Sequence, residues 1–214
     1  MRSRFDQQLS LLNRKMTEMG GECESIIASA VKALLAGSAE DARRAREQGH
    51  RIDQLEREIE SICLKLLLQQ QPVARDLRVI SAALKMITDM ERIGDQAEDI
   101  AEIITTLGGR TGAECADIRV MAEATIKMVT DSVDAYVRQD VALAEQVIAA
   151  DDMVDDYFEK VKQALIRRIA DDPEEGGTAL DLLMIAKYLE RIGDHATNIA
   201  EWVEFSVTGV HKEE

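Results

Sequence analysis

The chain has 214 residues, of which 46% are hydrophobic, 31% are charged and only 3% are aromatic, and its formal net charge is −15. This composition favours a helical protein with an aliphatic core, and the charge argues against binding to nucleic acid or anionic lipid through a general electrostatic field. The sequence contains neither an apolar run long enough to cross a membrane nor a secretory leader pattern, so we expect a cytoplasmic protein. The widely spaced Cys23, Cys63 and Cys115 indicate reduced thiols rather than a disulfide framework.

Six long helices are predicted between breaks that contain glycine and proline. The intervals between these breaks show helical periodicity and almost no alternation of period two. The predicted helices cover residues 5–36, 39–70, 75–107, 113–138, 140–171 and 177–208. We expect Ser38, Asp76, Asp140 and Thr178 to cap helices or to lie in their first turns.

The six helices fall into two sets of three that repeat each other. The sequence SAEDARRAREQGHRID at 38–53 aligns without gaps on DVALAEQVIAADDMVD at 140–155, and MERIGDQAEDIAE at 90–102 recurs as LERIGDHATNIAE at 189–201. A repeat of about 100 residues built from three helices predicts an all-α protein made of two tandem, pseudo-symmetric three-helix bundles. The expected units are residues 1–108 and 109–214.

The third helix of each unit combines a core stripe with an acidic ridge. The stripe alternates steps of three and four residues, as helical bundles do. In the first unit it consists of Met86, Met90, Ile93, Ala97, Ile100 and Ile104, and in the second of Ile185, Leu189, Ile192, Ala196, Ile199 and Val203. At about 100° per residue, the acidic residues of the same helices fall on the opposite side. They are Glu91, Asp95, Glu98 and Glu102 in the first unit and Glu190, Asp194 and Glu201 in the second.

The part of the ridge shared by both units is a Glu-x-x-x-Asp pair. Like charges at i and i+4 repel each other on an isolated helix, and a bound cation would relieve that repulsion. Two readings stay open at this point, a solvated helix face and a metal-binding face. Thr197 replaces Glu98 in the second unit, so the extra acids of the first unit are not included among the expected ligands.

The second helix of each unit supplies further carboxylates. Asp151 and Asp155 form an i,i+4 pair in the second unit, whereas the first unit keeps Asp53 but has Gly49 in place of the other acid. Acid pairs on neighbouring helices can direct several carboxylates to one place. Hard oxygen donors of this kind suit Mg²⁺, Ca²⁺, Mn²⁺ or iron, and they can accept Zn²⁺.

Two glycines interrupt the third helices at matching positions. Gly94 and Gly193 each cost about 1 kcal/mol relative to alanine in a helix interior. We expect close helix approach at both positions, with common descent as the alternative. Arg92 and Arg191 beside the acids either pair with an acid of an adjacent helix or point into solvent.

Enzymatic motifs are absent from the sequence. It has one Glu-x-x-His, from Glu47 to His50, whereas ferritin-like di-iron sites need two. His195 replaces Gln96 between the repeats, so it is not part of the duplicated feature and we expect a surface or partly buried histidine. Nucleotide-binding motifs and a nucleophile elbow are also missing, so we do not expect an enzyme.

Four segments together resemble the PhoU family of phosphate-signalling proteins. They are QQPVARDLR (70–78), MERIGDQAEDI (90–100), DDMVDDYFE (151–159) and LERIGDHATNI (189–199), and the resemblance covers essentially the whole chain. It implies two tandem three-helix bundles whose Glu/Asp-x-x-x-Asp motifs bind multivalent metal ions, as iron or zinc clusters or with Mg²⁺ or Mn²⁺. The metal ligands that it implies are Asp53, Glu91, Asp95, Asp151, Asp155, Glu190 and Asp194. Gly49 departs from the family pattern, and the neighbouring His50 is a candidate replacement ligand.

The resemblance also implies a regulatory role. PhoU-like proteins are negative regulators of phosphate uptake and of the phosphate-starvation response, and they connect the phosphate transporter's ATPase subunit to a sensor histidine kinase. A homodimer that meets the membrane only through these partners, and that binds no nucleic acid, is expected. The main alternative is a metal-independent helical interaction module with an acidic docking face. A metalloenzyme is a third hypothesis, which the lack of an evident base or nucleophile disfavours.

Overall fold

The fold of the described residues is entirely helical. The computed structural model describes residues 2–70, 72–108 and 114–210. Seven α-helices lie in these ranges, with one short 3₁₀-helix, Pro173–Glu175, between the last two. The α-helices are α1 (Arg2–Ala36), α2 (Ala39–Glu47), α3 (Gly49–Gln70), α4 (Ala74–Leu107), α5 (Glu114–Arg138), α6 (Val141–Asp171) and α7 (Gly176–Thr208).

Five of the six predicted helices are single helices, and the second is not. The predicted helix 39–70 is divided at Gln48 into α2 and α3. Around Gln48 the backbone tightens to i→i−3 hydrogen bonds, from Gln48 N–H to Ala45 O and from Arg51 N–H to Gln48 O. The flexible Gly49 follows at once, so the helix is weakest at this point. Residue 113, the predicted start of the fifth helix, lies outside the described residues.

Side chains cap two helices where the sequence predicts it. Ser38 accepts a hydrogen bond from the Asp41 N–H at the start of α2, and Asp140 accepts one from the Leu143 N–H at the start of α6. Asp76 and Thr178 lie in the first turns of α4 and α7. The predicted helix starts are therefore confirmed at these four positions.

The helices form two three-helix bundles packed side by side. The first consists of α1, the interrupted helix α2/α3 and α4, and the second consists of α5, α6 and α7. The bundles meet through two helix pairs, α4 with α7 and α1 with α5. Each of these four helices therefore packs both on its own bundle and on the other bundle. The division at residues 108 and 109 stays a prediction, since residues 109–113 lie outside the described part of the chain.

The predicted core stripes are buried. Every member of the stripes on α4 and α7 is at most 2% exposed. The three cysteines are buried free thiols, as expected. Aliphatic side chains therefore occupy one side of α4 and of α7 and leave the acidic ridge on the other side.

A polar seam runs between α4 and α7. Asp89 of α4 lies 2.8 Å from the Nδ1 atom of His195 and accepts a 3.2 Å hydrogen bond from the Asn198 amide. About ten residues further along α4, Asp99 is close to Tyr188, in the first half of α7. Burial and Asp99 raise the pKa of the Tyr188 phenol. As the residue number rises along α4, the number of the facing residue on α7 falls. The two helices are therefore antiparallel, and a pseudo-twofold axis relates the two units.

Candidate metal centres

The second unit brings all four of its predicted ligands together between α6 and α7. Asp151 and Asp155 lie on α6, and Glu190 and Asp194 on α7. Burial raises the pKa of Asp151, and together with the charges of Asp194, Asp155 and Glu190 it brings this pKa to about 6. Burial and the charges of Glu190 and Asp155 also raise the pKa of Asp194. Repulsion among carboxylates this close is relieved by a proton or a cation. We call these four residues the second cluster.

The carboxylate of Asp151 lies directly over the backbone of α7. A Cβ placed on Gly193 would be 3.2 Å from Asp151 Oδ1 and 3.5 Å from the Val154 Cγ1 atom. The absence of a side chain at Gly193 therefore allows Asp151 to approach α7 closely. The expectation of close helix approach at this glycine is confirmed.

One oxygen of the second cluster is closed to solvent. The Oε2 atom of Glu190 is buried. It forms an ion pair at 2.5 Å with the ammonium of Lys187, one turn earlier on α7. Lys187 supplies the positive charge nearest to this carboxylate, and sequence reasoning did not assign it a role.

The first unit brings its three predicted acids together between α3 and α4. Asp53 lies on α3, and Glu91 and Asp95 lie on α4. Burial raises the pKa of Glu91, and the charges of Asp95 and Asp53 add to the rise; burial and Asp53 likewise raise the pKa of Asp95. We call these three residues the first cluster.

Two further acids that the sequence prediction left out also face the first cluster. Burial raises the pKa of Glu98 and of Glu56, and in both cases the charges of Asp53 and Asp95 contribute. Glu56 lies one turn after Asp53 on α3. Its i,i+3 spacing from Asp53 is the feature of the sequence that could have placed it on the same face. Glu98 was visible as part of the ridge, but its absence from the second unit had argued against it.

Basic side chains lie at the edge of the first cluster. Arg92 approaches Glu91 at 3.6 Å and Asp95 at 3.8 Å, both on its own helix. Its side chain is 59% exposed, so the structure favours the solvent-facing reading over a pair with an adjacent helix. His50 is exposed, and its closest connection to the cluster is a favourable electrostatic interaction with Glu98.

Gly94 holds α3 and α4 together behind the first cluster. A Cβ on this residue would lie 2.9 Å from Ile52 Cδ1 and 3.2 Å from Ile52 Cγ2. The close approach expected at Gly94 is therefore confirmed. It places α3, which carries Asp53, against the ridge of α4.

The chemistry of both clusters fits a multivalent cation. Carboxylate oxygens are the donors that hard cations prefer, and a cation would offset the mutual repulsion that raises the pKa values. With the side chains as placed, no three His, Cys, Asp or Glu groups among the described residues are arranged to hold one ion. A bound ion would therefore have to draw the carboxylates of a cluster together through changes of side-chain rotamer.

No helix within residues 2–70, 72–108 and 114–210 combines the length and the apolar character that a membrane span requires.

One family domain matches the chain at two places. The PhoU domain matches residues 16–104 and again residues 118–203. Each match falls within one of the two bundles, so the internal repeat corresponds to two copies of this domain.

Individual relatives are similar over nearly their whole length. A phosphate-specific transport system accessory protein PhoU homolog from a Burkholderia species is 35% identical, over 97% of this chain and 90% of the relative. The homolog of the same description from Pseudomonas aeruginosa is 34% identical over 96% of this chain and 86% of its own.

Solved structures have the same fold. The crystal structure of PhoU from Pseudomonas aeruginosa superposes with a TM-score of 0.91 at 34% identity, and covers 96% of this chain and 100% of its own. The phosphate transport system regulatory protein PhoU from Streptococcus pneumoniae gives a TM-score of 0.90 at 25% identity, over 98% and 100%. Since the sequence, the repeat and the fold agree along nearly the full length, the chain belongs to the PhoU family.

Proposed function

We propose that this protein is a metal-binding regulatory adaptor of phosphate homeostasis. It acts in the cytoplasm as a homodimer and connects the ATPase subunit of a phosphate transporter to a sensor histidine kinase. Through this connection it limits phosphate uptake and holds the phosphate-starvation response off when phosphate is plentiful. It has no enzymatic activity of its own, binds no nucleic acid and meets the membrane only through its partners.

The full-length similarity to phosphate-specific transport system accessory proteins carries the regulatory part of this proposal. The helical surface and the absence of a catalytic motif are compatible with an adaptor. The net charge of −15 disfavours nucleic acid as a partner.

The two clusters carry the metal part of the proposal. In the second unit Asp151, Asp155, Glu190 and Asp194 would hold the metal, which could be an iron or zinc cluster, or Mn²⁺ or Mg²⁺. In the first unit Asp53, Glu91 and Asp95 would do so. A bound cation would supply positive charge that joins neighbouring helices, α3 with α4 and α6 with α7. Lys187 would stay beside Glu190 and limit the negative charge of the second cluster.

Elemental analysis tests the metal part. Protein loaded with Fe²⁺ or Zn²⁺ and then desalted is expected to retain metal, and the double variant Glu91→Ala/Asp95→Ala is expected to retain less. Glu201→Ala, which removes an acid of the ridge on α7 outside the predicted ligands, serves as the matched control. Wild-type protein that holds no metal under any loading condition would remove this part and leave the adaptor role standing.

Deletion of the gene in the source organism tests the regulatory part. Alkaline phosphatase activity in high phosphate is expected to rise in the deletion strain, because the starvation response is no longer held off. Re-expression of the wild-type chain should lower it again. Activity that stays repressed after deletion would contradict the regulatory role.

A metal-independent interaction module is the second candidate, and one observation favours it. The carboxylates of neither cluster are arranged around a common ion position in the described residues. In that case the acids would form a docking face for basic surfaces of partner proteins. Partner binding that weakens with salt but ignores chelators would select this candidate over the metal-binding adaptor.

A further inference from the structure

Gly49 and Glu98 occupy one another's space at the edge of the first cluster. A Cβ built on Gly49 would lie 1.5 Å from Glu98 Oε1 and 2.4 Å from its carboxyl carbon. These distances are far below van der Waals contact, so the carboxylate of Glu98 fills the volume in which a side chain at residue 49 would begin. Gly49 is itself buried, whereas Glu98 is partly buried.

The second unit has the opposite arrangement at the matching positions. The counterpart of Gly49 is Asp151, and the counterpart of Glu98 is Thr197. In the second unit the carboxylate therefore comes from α6, and the facing position on α7 carries a small hydroxyl side chain. In the first unit α3 has no side chain at this position, and α4 supplies the carboxylate.

The two carboxylates also have similar electrostatic surroundings. The charge of Asp53 raises the pKa of Glu98 on top of the effect of burial, as Asp155 does for Asp151. Asp53 and Asp155 are counterparts in the repeat. Glu98 thus faces the same partner in the first unit that Asp151 faces in the second.

We propose that Glu98 is the fourth ligand of the first metal centre and replaces the carboxylate that Gly49 lacks. This inference rests on the proposed function, since it concerns the metal that the two clusters are proposed to hold. The first centre then consists of Asp53, Glu91, Asp95 and Glu98. It has the same number of carboxylates as the second centre, with one of them supplied from the opposite helix.

The exposed His50 is the competing candidate for the fourth ligand. It follows Gly49 in sequence, but it is exposed, and it interacts electrostatically with Glu98. A neutral imidazole at this place would also leave the site one negative charge short of the second cluster. The substitution His50→Ala therefore separates the two assignments.

The experiment measures Zn²⁺ binding by equilibrium dialysis in the full chain. The substitutions Asp151→Ala and Asp155→Ala are present throughout, so that the signal comes from the first centre. In this background Glu98→Thr introduces the residue found in the second unit and should weaken Zn²⁺ binding by about tenfold or more. His50→Ala and Glu102→Thr, which removes the next acid of the same ridge, should each leave the affinity closer to that of the background protein than Glu98→Thr does.

A reciprocal exchange provides the rescue. Gly49→Asp combined with Glu98→Thr copies the arrangement of the second unit and should bring Zn²⁺ binding back toward that of the background protein, since a displaced ligand is regained rather than lost. Gly49→Asp alone sets a second carboxylate beside that of Glu98, whose flexible side chain must turn aside and leave two like charges close together. Its urea midpoint without metal should therefore fall below that of the double exchange. This comparison needs no metal and tests how close residues 49 and 98 lie.

The outcomes separate this inference from the proposed function. If the wild-type chain takes up no Zn²⁺, the metal part of the proposed function fails and the ligand role of Glu98 fails with it. If the background protein binds Zn²⁺ and Glu98→Thr binds equally well, only the role of Glu98 is wrong. Loss of binding in His50→Ala but not in Glu98→Thr would assign the fourth position to the histidine. Equal urea midpoints for Gly49→Asp and the double exchange would contradict the close placement of residues 49 and 98.

Discussion

Asp151 stays protonated to a higher pH than an ordinary aspartate, since burial and its neighbouring carboxylates raise its pKa to about 6. In metal-free protein the folded state therefore binds a proton more readily than the unfolded state, whose aspartate keeps a pKa near the ordinary value of 3.8. This difference makes the folded state gain stability as the pH falls through about 6. At a pH above this value the charged Asp151 destabilises the fold.

We expect Asp151→Asn to raise the melting temperature of metal-free protein at about pH 7.5 and to change it less at about pH 5. The asparagine has no charge to desolvate, so the gain on acidification should become smaller than in wild type. Melting followed by circular dichroism in the presence of a chelator measures both values. Asp156→Asn, at an exposed position on the same helix, is the control, and an equal pH dependence in both variants would contradict the assignment to Asp151.

Two glycines inside helices are expected to respond in opposite ways to alanine. A Cβ added to Gly21 in α1 would meet nothing within 4 Å, whereas one added to Gly94 would lie 2.9 Å from Ile52. Gly21→Ala should raise the free energy of unfolding by up to about 1 kcal/mol through helix propensity. Gly94→Ala should lower it by about 1 kcal/mol, because overpacking against Ile52 exceeds that gain. Urea denaturation measures both, and stabilisation by Gly94→Ala would show that α3 moves away at little cost.

At the scale of the helices, the sequence pattern predicts the core faces and the capped helix starts. The core stripes and the caps at Ser38 and Asp140 depend on residues close together in sequence, so periodicity and residue type are sufficient to identify them. The break at Gln48 is different, because glutamine is a good helix former. Gly49 beside it is the local signal of a weak point, whereas the contact of Gly49 with the Glu98 side chain joins residues far apart in sequence.

The cap of α6 gives a prediction for a single helix. Asp140→Ala removes the hydrogen bond to the Leu143 N–H and should lower the free energy of unfolding by about 1 kcal/mol. Asp140→Asn keeps an acceptor oxygen and should cost much less. Urea denaturation compares the two variants, and equal losses would mean that the negative charge rather than the hydrogen bond stabilises the helix start.

At the scale of the whole molecule, polar contacts of Asp89 join the two units across the seam between α4 and α7. Asp89 lies beside His195 and accepts a hydrogen bond from Asn198. The repeat counterparts of Asp89 and Asn198 are Tyr188 and Asp99, which are also close to each other. The counterpart of His195 is Gln96, so a comparison of the repeats does not reveal the contact between Asp89 and His195.

Asp89→Ala tests how strongly this seam couples the bundles. It leaves two polar groups of α7 without their acceptor and should lower the free energy of unfolding by about 1–2 kcal/mol. Denaturation can be followed by circular dichroism for all helices and by the fluorescence of Trp202, the single tryptophan, which lies on α7. A loss below about 0.5 kcal/mol, the level of an ordinary surface change, would show that apolar packing alone joins α4 to α7.

For the site, as for the helices, features set by spacing along one helix could be predicted from the sequence, and contacts between helices could not. All seven predicted ligands lie in one of the two clusters, because spacing along a helix decides which acids share a face. The positions of Glu98 and Lys187 depend on the three-dimensional surroundings. Glu98 has no counterpart acid because the second unit has Thr197 at that position. Its place beside Gly49 becomes visible only in the structure, where its carboxylate occupies the volume next to that glycine.

The overlap between Gly49 and Glu98 also restricts how the two units could have diverged. Converting one arrangement into the other takes two substitutions, and each single step has a defect. Glycine with threonine lacks a carboxylate, whereas aspartate with glutamate brings two like charges together and forces the glutamate side chain to turn aside. The two positions are therefore epistatic, and a change at one favours a change at the other. Across related chains, an acid at either position should accompany a small residue at the other, and an alignment of many relatives can check this covariation.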